Sequence, residues 1–172
     1  MKTTSFVADY QTRKNSLVEA FLGRLMGAYY GFRMAGLKGF KTGWSQLVIH
    51  PGSFFRVEPG AELLLRGQLR IGLAWQKGGL PLPGLQHTGI SIRRDAVFSC
   101  GADVSLAKGA HVHVSKGAVA VIGDRTFVGY NSSVYATHKI VIGSDCAISW
   151  GVNILDSYLH KLEGDLGTSP IV

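Results

Sequence analysis

From Ile122 to Lys161 the aliphatic residues recur every six positions, and this beat restricts the fold more than any other feature of the chain. Ile122, Val128 and Val134 set it; after a two-residue insertion Ile142, Ile148 and Ile154 resume it. A helix repeats every 3.6 residues and a strand every 2, so neither explains the spacing. Three short strands joined by tight corners and wound into a triangular coil do explain it. In such a coil the aliphatic residue points into a narrow interior and a small residue packs beside it. Thr126, Ser132, Cys146 and Val152 fall in that second slot. His138 does not, and the insertion after it is expected to be a bulged corner.

The beat extends upstream through Phe98, Val104 and Ala110, with Lys116 the one misfit. Gly101–Ala102–Asp103, Gly109–Ala110, Gly117–Ala118, Gly123–Asp124 and Gly143–Ser144–Asp145 mark corners, where a polar residue after glycine turns the backbone. Twenty-three glycines in 172 residues suit a chain that turns this often. Strand signals begin at Leu47: Phe54–Val57, Leu63–Leu65 and Leu69–Ile71 are apolar bursts separated by Pro51–Gly52 and Pro59–Gly60. Gln76 to Thr88 holds prolines that interior strands exclude, and is expected to project as a loop at about 76–88.

Residues 4–38 read as helix in two pieces, started by Asn15 or Ser16. Leu17, Val18, Phe21, Leu22, Leu25, Met26, Tyr29 and Tyr30 form a broad apolar stripe. Gly23, Gly27, Gly31 and Gly36 each weaken a helix by about 1 kcal/mol relative to alanine, so tertiary contacts must hold it. The expected organisation is a helical cap over 1–46, covering the open end of a β-helix over 47–172. The sharper alternative is an interfacial membrane helix. Residues 1–45 carry Lys2, Arg13, Lys14, Arg24, Arg33, Lys38 and Lys41 against Asp9 and Glu19, and most of the net charge of +7 resides there.

An apolar content of 46% is too high for disorder, and no uninterrupted apolar run is long enough to cross a bilayer. Two cysteines, Cys100 and Cys146, are too few for a disulfide scaffold and read as reduced, buried small residues. Met1 to Tyr10 shows no signal-peptide pattern, so a cytoplasmic location is expected, peripheral at the inner membrane face if the basic helix touches lipid. The basic residues lack the aromatic interleaving of a nucleic-acid module, which argues against that partner.

The segment IGSDCAISWGVNILDSYLHKL, with the repeats before it, resembles the hexapeptide-repeat O-acetyltransferases. That group contains the maltose and galactoside acetyltransferases and many capsule and lipopolysaccharide sugar acetyltransferases. The resemblance covers residues 47–172. It implies an all-β chain with an N-terminal helix, wound as a left-handed parallel β-helix and assembled as a homotrimer with sites between subunits. It implies acetyl-CoA as co-substrate, a saccharide acceptor and no metal. The family's general base maps to His160, and its acceptor-contacting asparagine to Asn131. Family members continue beyond the sequence like Gly167–Val172 into coils that form most of the coenzyme groove. The chain is therefore expected to be a shortened acetyltransferase.

Transfer of an acetyl group to a hydroxyl needs a base beside that hydroxyl, and imidazole is mostly neutral at pH 7. Asp156, four residues before His160, is a candidate to orient it or hold a sugar hydroxyl; Trp150 is a candidate to line the sugar site. Two alternatives stand beside this reading. A γ-class carbonic anhydrase needs three histidines on zinc. His50, His87, His111, His113, His138 and His160 show no H-x4-H pair, and His111 and His113 share a strand face without a third ligand. The other alternative is a non-catalytic β-helix that binds or trimerises.

Overall fold

The computed structural model describes residues 17–73 and 87–157. The helix start expected before residue 17, most of the loop expected at 76–88 and the segment holding His160 lie outside the described residues. Among the described residues one helix, α1 (Leu17–Gln46), precedes fourteen short strands. The first coil is β1 (Leu47–Ile49), β2 (Phe54–Val57) and β3 (Glu62–Leu65). The second is β4 (Leu69–Leu73), β5 (Gly89–Ile92) and β6 (Val97–Cys100), and the third is β7 (Val104–Ala107), β8 (His111–Val114) and β9 (Val119–Ile122). The fourth is β10 (Phe127–Val128), β11 (Ser133–Ala136) and β12 (Lys139–Ile142); β13 (Ala147–Ile148) and β14 (Asn153–Leu155) begin a fifth.

The described strands each pair in parallel with their counterparts in the coils above and below. They form three sheets, β1-β4-β7-β10-β13, β2-β5-β8-β11-β14 and β3-β6-β9-β12, called A, B and C here. The chain is thus a parallel β-solenoid, the architecture that the six-residue beat demands.

Alternate residues of each strand face inward, so rows of like residues stack along the axis. Leu106 lies beside Val128, which lies beside Ile148; Val112 beside Val134, and that beside Ile154; Phe98 beside Ala120, and that beside Ile140. Phe98, Leu106, Val112, Ile122 and Val128 are buried, and Ile142, Ile148 and Ile154 pack partly buried against the same core. Cys100 is buried and its thiol is pushed up to about 12 by desolvation, which makes it inert. Cys146 corrects the expectation for the second thiol: it is only half-buried, because it lies in the last described coil, where no described coil stacks on it.

Register also corrects the placement of the insertion. The first inward residue of sheet B follows that of sheet A by eight positions, as from Val104 to Val112 and from Thr126 to Val134. From sheet C to sheet A the step is six, as from Ala120 to Thr126. The two extra residues of the fourth coil therefore sit at Tyr130–Asn131, before β11, and the corner at His138 is the short one. Lys116 misses the beat because the corner before β9 is also an eight-residue step, which puts Lys116 on its exposed turn.

Corner hydroxyls fasten one coil to the next. Thr126 Oγ1 donates to Gly143 O at 2.8 Å and accepts from Cys146 N at 3.2 Å. Ser132 Oγ repeats the pattern with Ser149 O at 2.7 Å and Val152 N at 3.1 Å. At the corner between sheets C and A, Asp103, Arg125 and Asp145 adopt positive φ on successive coils, and Arg125 holds Asp145 through two contacts of 2.7 and 2.6 Å.

The helical run covers the edge of β1 and folds back on itself. A straight helix would hold Gly27 and Gly43 about 24 Å apart. Here a Cβ on Gly27 would meet Gly43 O at 2.8 Å, and one on Gly31 would meet Gly39 O at 2.1 Å. Arg24 donates to Trp44 O at 3.0 Å, and the Phe21 and Trp44 rings meet edge-on at 5.9 Å. The run is a hairpin whose apex falls between Gly31 and Gly39, and it docks on the solenoid through Gly23 at Val48 and Tyr30 at Phe55. The helix thus extends past residue 38 to Gln46, and only part of the expected apolar stripe is its buried face: Met26 and Tyr30 pack against the core. Phe21, Leu22, Leu25 and Tyr29 are exposed, while Gly23, Gly27, Ala28 and Gly31 are buried.

Candidate functional site

Two corners flank sheet B in the last coils, and the sequence-predicted residues divide between them. At the corner from sheet A to sheet B, Asn131 turns the fourth coil with φ of 53°, a left-handed conformation that asparagine tolerates better than most residues. The turn leaves its side chain exposed. One coil on, Trp150 occupies the same corner. Its ring stands edge-on to Tyr130 with centroids 5.8 Å apart, and Gly151 N donates to Tyr130 O at 2.8 Å. Trp150 keeps 48% of its surface exposed. Asn131 and Trp150 thus present an amide and an aromatic face on one edge of the solenoid.

The other corner, from sheet B to sheet C, belongs to Asp156. Its Oδ1 accepts from Thr137 N at 2.8 Å and Thr137 Oγ1 at 2.7 Å. Its Oδ2 accepts from His138 N and Lys139 N, both at 2.7 Å. Burial raises the carboxyl pKa, but these four hydrogen bonds outweigh it and hold the group below the usual aspartate value. Asp156 therefore stitches the end of the fifth-coil strand to the corner beneath it. A strand of sheet B separates it from Asn131 and Trp150, roughly 15–20 Å at 3.3 Å per residue, so one chain does not bring the two corners to one hydroxyl.

Between the corners runs the outer face of sheet B. Ser133 Oγ bonds the Asn153 side chain, and His111 lies next in that row. In the adjacent row His113 stacks on Tyr135, with centroids 4.4 Å apart and planes 16° from parallel. Desolvation lowers the pKa of both histidines; His87 adds to this for His111, and Arg93 for His113, where Glu58 opposes it. His111 Nε2 is buried without a hydrogen-bond partner, near His87, whose Nδ1 donates to Gly52 O at 2.9 Å. Gly52, Ser53, Phe54, His87 and His111 line a shallow cavity of about 580 Å³. Among the described residues no three His, Cys, Asp or Glu side chains converge as a metal ion would require. Sequence reasoning considered His111 and His113 only as ligands and missed the Tyr135 stack. The signal for it was the 22-residue coil spacing from His113 to Tyr135.

A larger cleft, about 1090 Å³, lies at the opposite end of the solenoid, between the hairpin and the edges of β2 and β3. It exists because the hairpin covers β1 and leaves Val57, Leu63 and Leu65 only partly covered. It is remote from Asn131, Trp150 and Asp156. No protein-family model, curated protein or solved structure matches the chain.

Proposed function

We propose that the chain is an O-acetyltransferase that moves an acetyl group from acetyl-CoA to a saccharide hydroxyl of a surface polysaccharide or its precursor. The observation that carries this reading is the exposed Trp150 beside the Asn131 amide on one corner of adjacent coils. A sugar offers an apolar ring face and a rim of hydroxyls, and an aromatic plane next to a donor–acceptor amide complements both. The hexapeptide resemblance supplies the chemistry. His160 is the general base, removing the hydroxyl proton as the sugar oxygen attacks the thioester carbonyl. The tetrahedral intermediate collapses with loss of the coenzyme thiolate, which takes the proton back from the imidazolium. Asp156 is a positioning residue, fixing the chain four residues before His160 against the Thr137–Lys139 corner.

The separation of the two corners calls for a second chain to complete one site, and the hexapeptide resemblance makes that assembly a homotrimer with sites between subunits. The test is to incubate the chain with acetyl-CoA and a panel of oligosaccharides, and to follow thioester loss together with the gain of one acetyl group by mass. Acetylated product supports the enzyme. Saccharide binding that needs Trp150 but yields no acetylated product would support the non-catalytic binding module instead.

A further inference from the structure

A cap that does no more than close a solenoid turns its large apolar side chains toward the core. The hairpin does so only with Met26 and Tyr30, and turns most of its other large apolar side chains outward. Its arms meet through glycines, so closely that no large side chain fits between them. Eight of the thirteen exposed large apolar side chains of the described residues belong to α1, so the exposed apolar surface is concentrated there. They include Phe21 at 57%, Phe32 at 52% and Leu37 at 79% exposed. Phe32 and Leu37 lie in the apex between Gly31 and Gly39.

Charge accompanies this apolar surface. From Phe21 to Gln46 the sequence holds Arg24, Arg33, Lys38 and Lys41 and no acidic residue. Arg33 and Lys38 belong to the apex and are exposed, so their charges sit beside Phe32 and Leu37. No helix of the described residues is long and apolar enough to cross a membrane. Exposed apolar side chains bordered at the apex by cations, on an element not long and apolar enough to span, match an anionic lipid–water interface: the apolar groups enter the acyl boundary and the cations meet phosphates. We propose that the hairpin docks the chain on the surface of an anionic bilayer through its Phe32–Lys38 apex, as a device separate from the saccharide corner at the other end of the solenoid.

The test is flotation of the full chain with phosphatidylcholine vesicles, with and without phosphatidylglycerol. The wild-type chain is expected to float with the anionic vesicles only, and less as salt is added. Lys38→Gln with Lys41→Gln is expected to weaken partition roughly 10- to 30-fold, following the usual contribution of each basic residue at an anionic surface. Leu37→Asp is expected to weaken it at least about 10-fold. Val141→Asp, at an exposed apolar residue of the solenoid, is expected to leave it unchanged. All these sites are exposed, and unchanged thermal melts establish that the variants fold. The proposal is overturned if the wild type stays with the soluble fraction or floats equally with neutral vesicles. It is also overturned if Leu37→Asp binds as well as Val141→Asp. A wild-type multimer that ignores vesicles and is dissociated by Leu37→Asp alone would assign the face to a second copy of the chain, and would equally overturn it.

Discussion

Gly43 and Gly27 lie in backbone contact: a Cβ on Gly43 would stand 2.2 Å from the Gly27 carbonyl oxygen. Backbone atoms occupy that space, so no rotamer change relieves the overlap and the arms must part. Gly43→Ala is expected to destabilise the chain by about 1–3 kcal/mol, more than offsetting the better helix propensity of alanine. Leu37→Ala, on the exposed apex, should stay within about 0.5 kcal/mol of wild type. Urea denaturation of the two variants checks the contrast.

Asp156 ties four donors of the corner below it, so its removal strands the Thr137, His138 and Lys139 amides. Asp156→Asn should lower stability by about 1–3 kcal/mol at pH 7. The folded carboxyl titrates below its unfolded value of about 3.9. Its contribution is therefore complete above that value and fades as the pH falls through the folded pKa. The gap between wild type and variant should be constant near neutrality and narrow below about pH 4, as denaturation at both pH values would reveal.

Core substitutions should cost more in the middle coils than in the last described ones. Phe98 is fully buried between Leu63 and Ala120, and Phe98→Ala is expected to cost about 3–5 kcal/mol. Ile148 is only partly buried, and Ile148→Ala should fall near the lower end of the usual range, about 2 kcal/mol. Equal losses at the two sites, measured by thermal or urea unfolding, would contradict the graded burial.

These contrasts follow what the sequence made readable. Ile122, Val128 and Val134 disclosed the coil because inward packing imposes a repeat that survives in one dimension. The six-residue count failed at Lys116 and misplaced the insertion near His138, because corners of six and eight residues differ by backbone turns that apolar spacing does not encode. The hairpin was misread for a related reason. Amphipathic reasoning buries the large residues, whereas close backbone approach buries glycine and turns Phe21 and Leu25 outward. Asn131 and Trp150 could be singled out, but their shared corner depends on register between coils twenty residues apart. The Asp156 stitch was hidden because its partners lie 17–19 residues away.

Asn131 serves a turn and, in the proposed function, an acceptor, and substitution separates the two. Asn131→Gly keeps the positive φ of 53° accessible while removing the amide. It should leave thermal stability nearly unchanged and weaken acceptor binding by about 2- to 10-fold, the usual contribution of one hydrogen bond. Trp150→Ala should raise KM for the acceptor more than it lowers kcat. Steady-state kinetics with varied acceptor resolves both effects.

The proposed activity turns on His160. With acetyl-CoA and an accepted saccharide, the wild-type chain and His160→Ala are compared for acetylated product at pH 7. The expected result is transfer by the wild type and a loss of about 10²- to 10⁴-fold in the variant, with acceptor binding retained. Transfer at the parental rate by His160→Ala, or no transfer by the wild type to any acceptor it binds, would contradict the assignment.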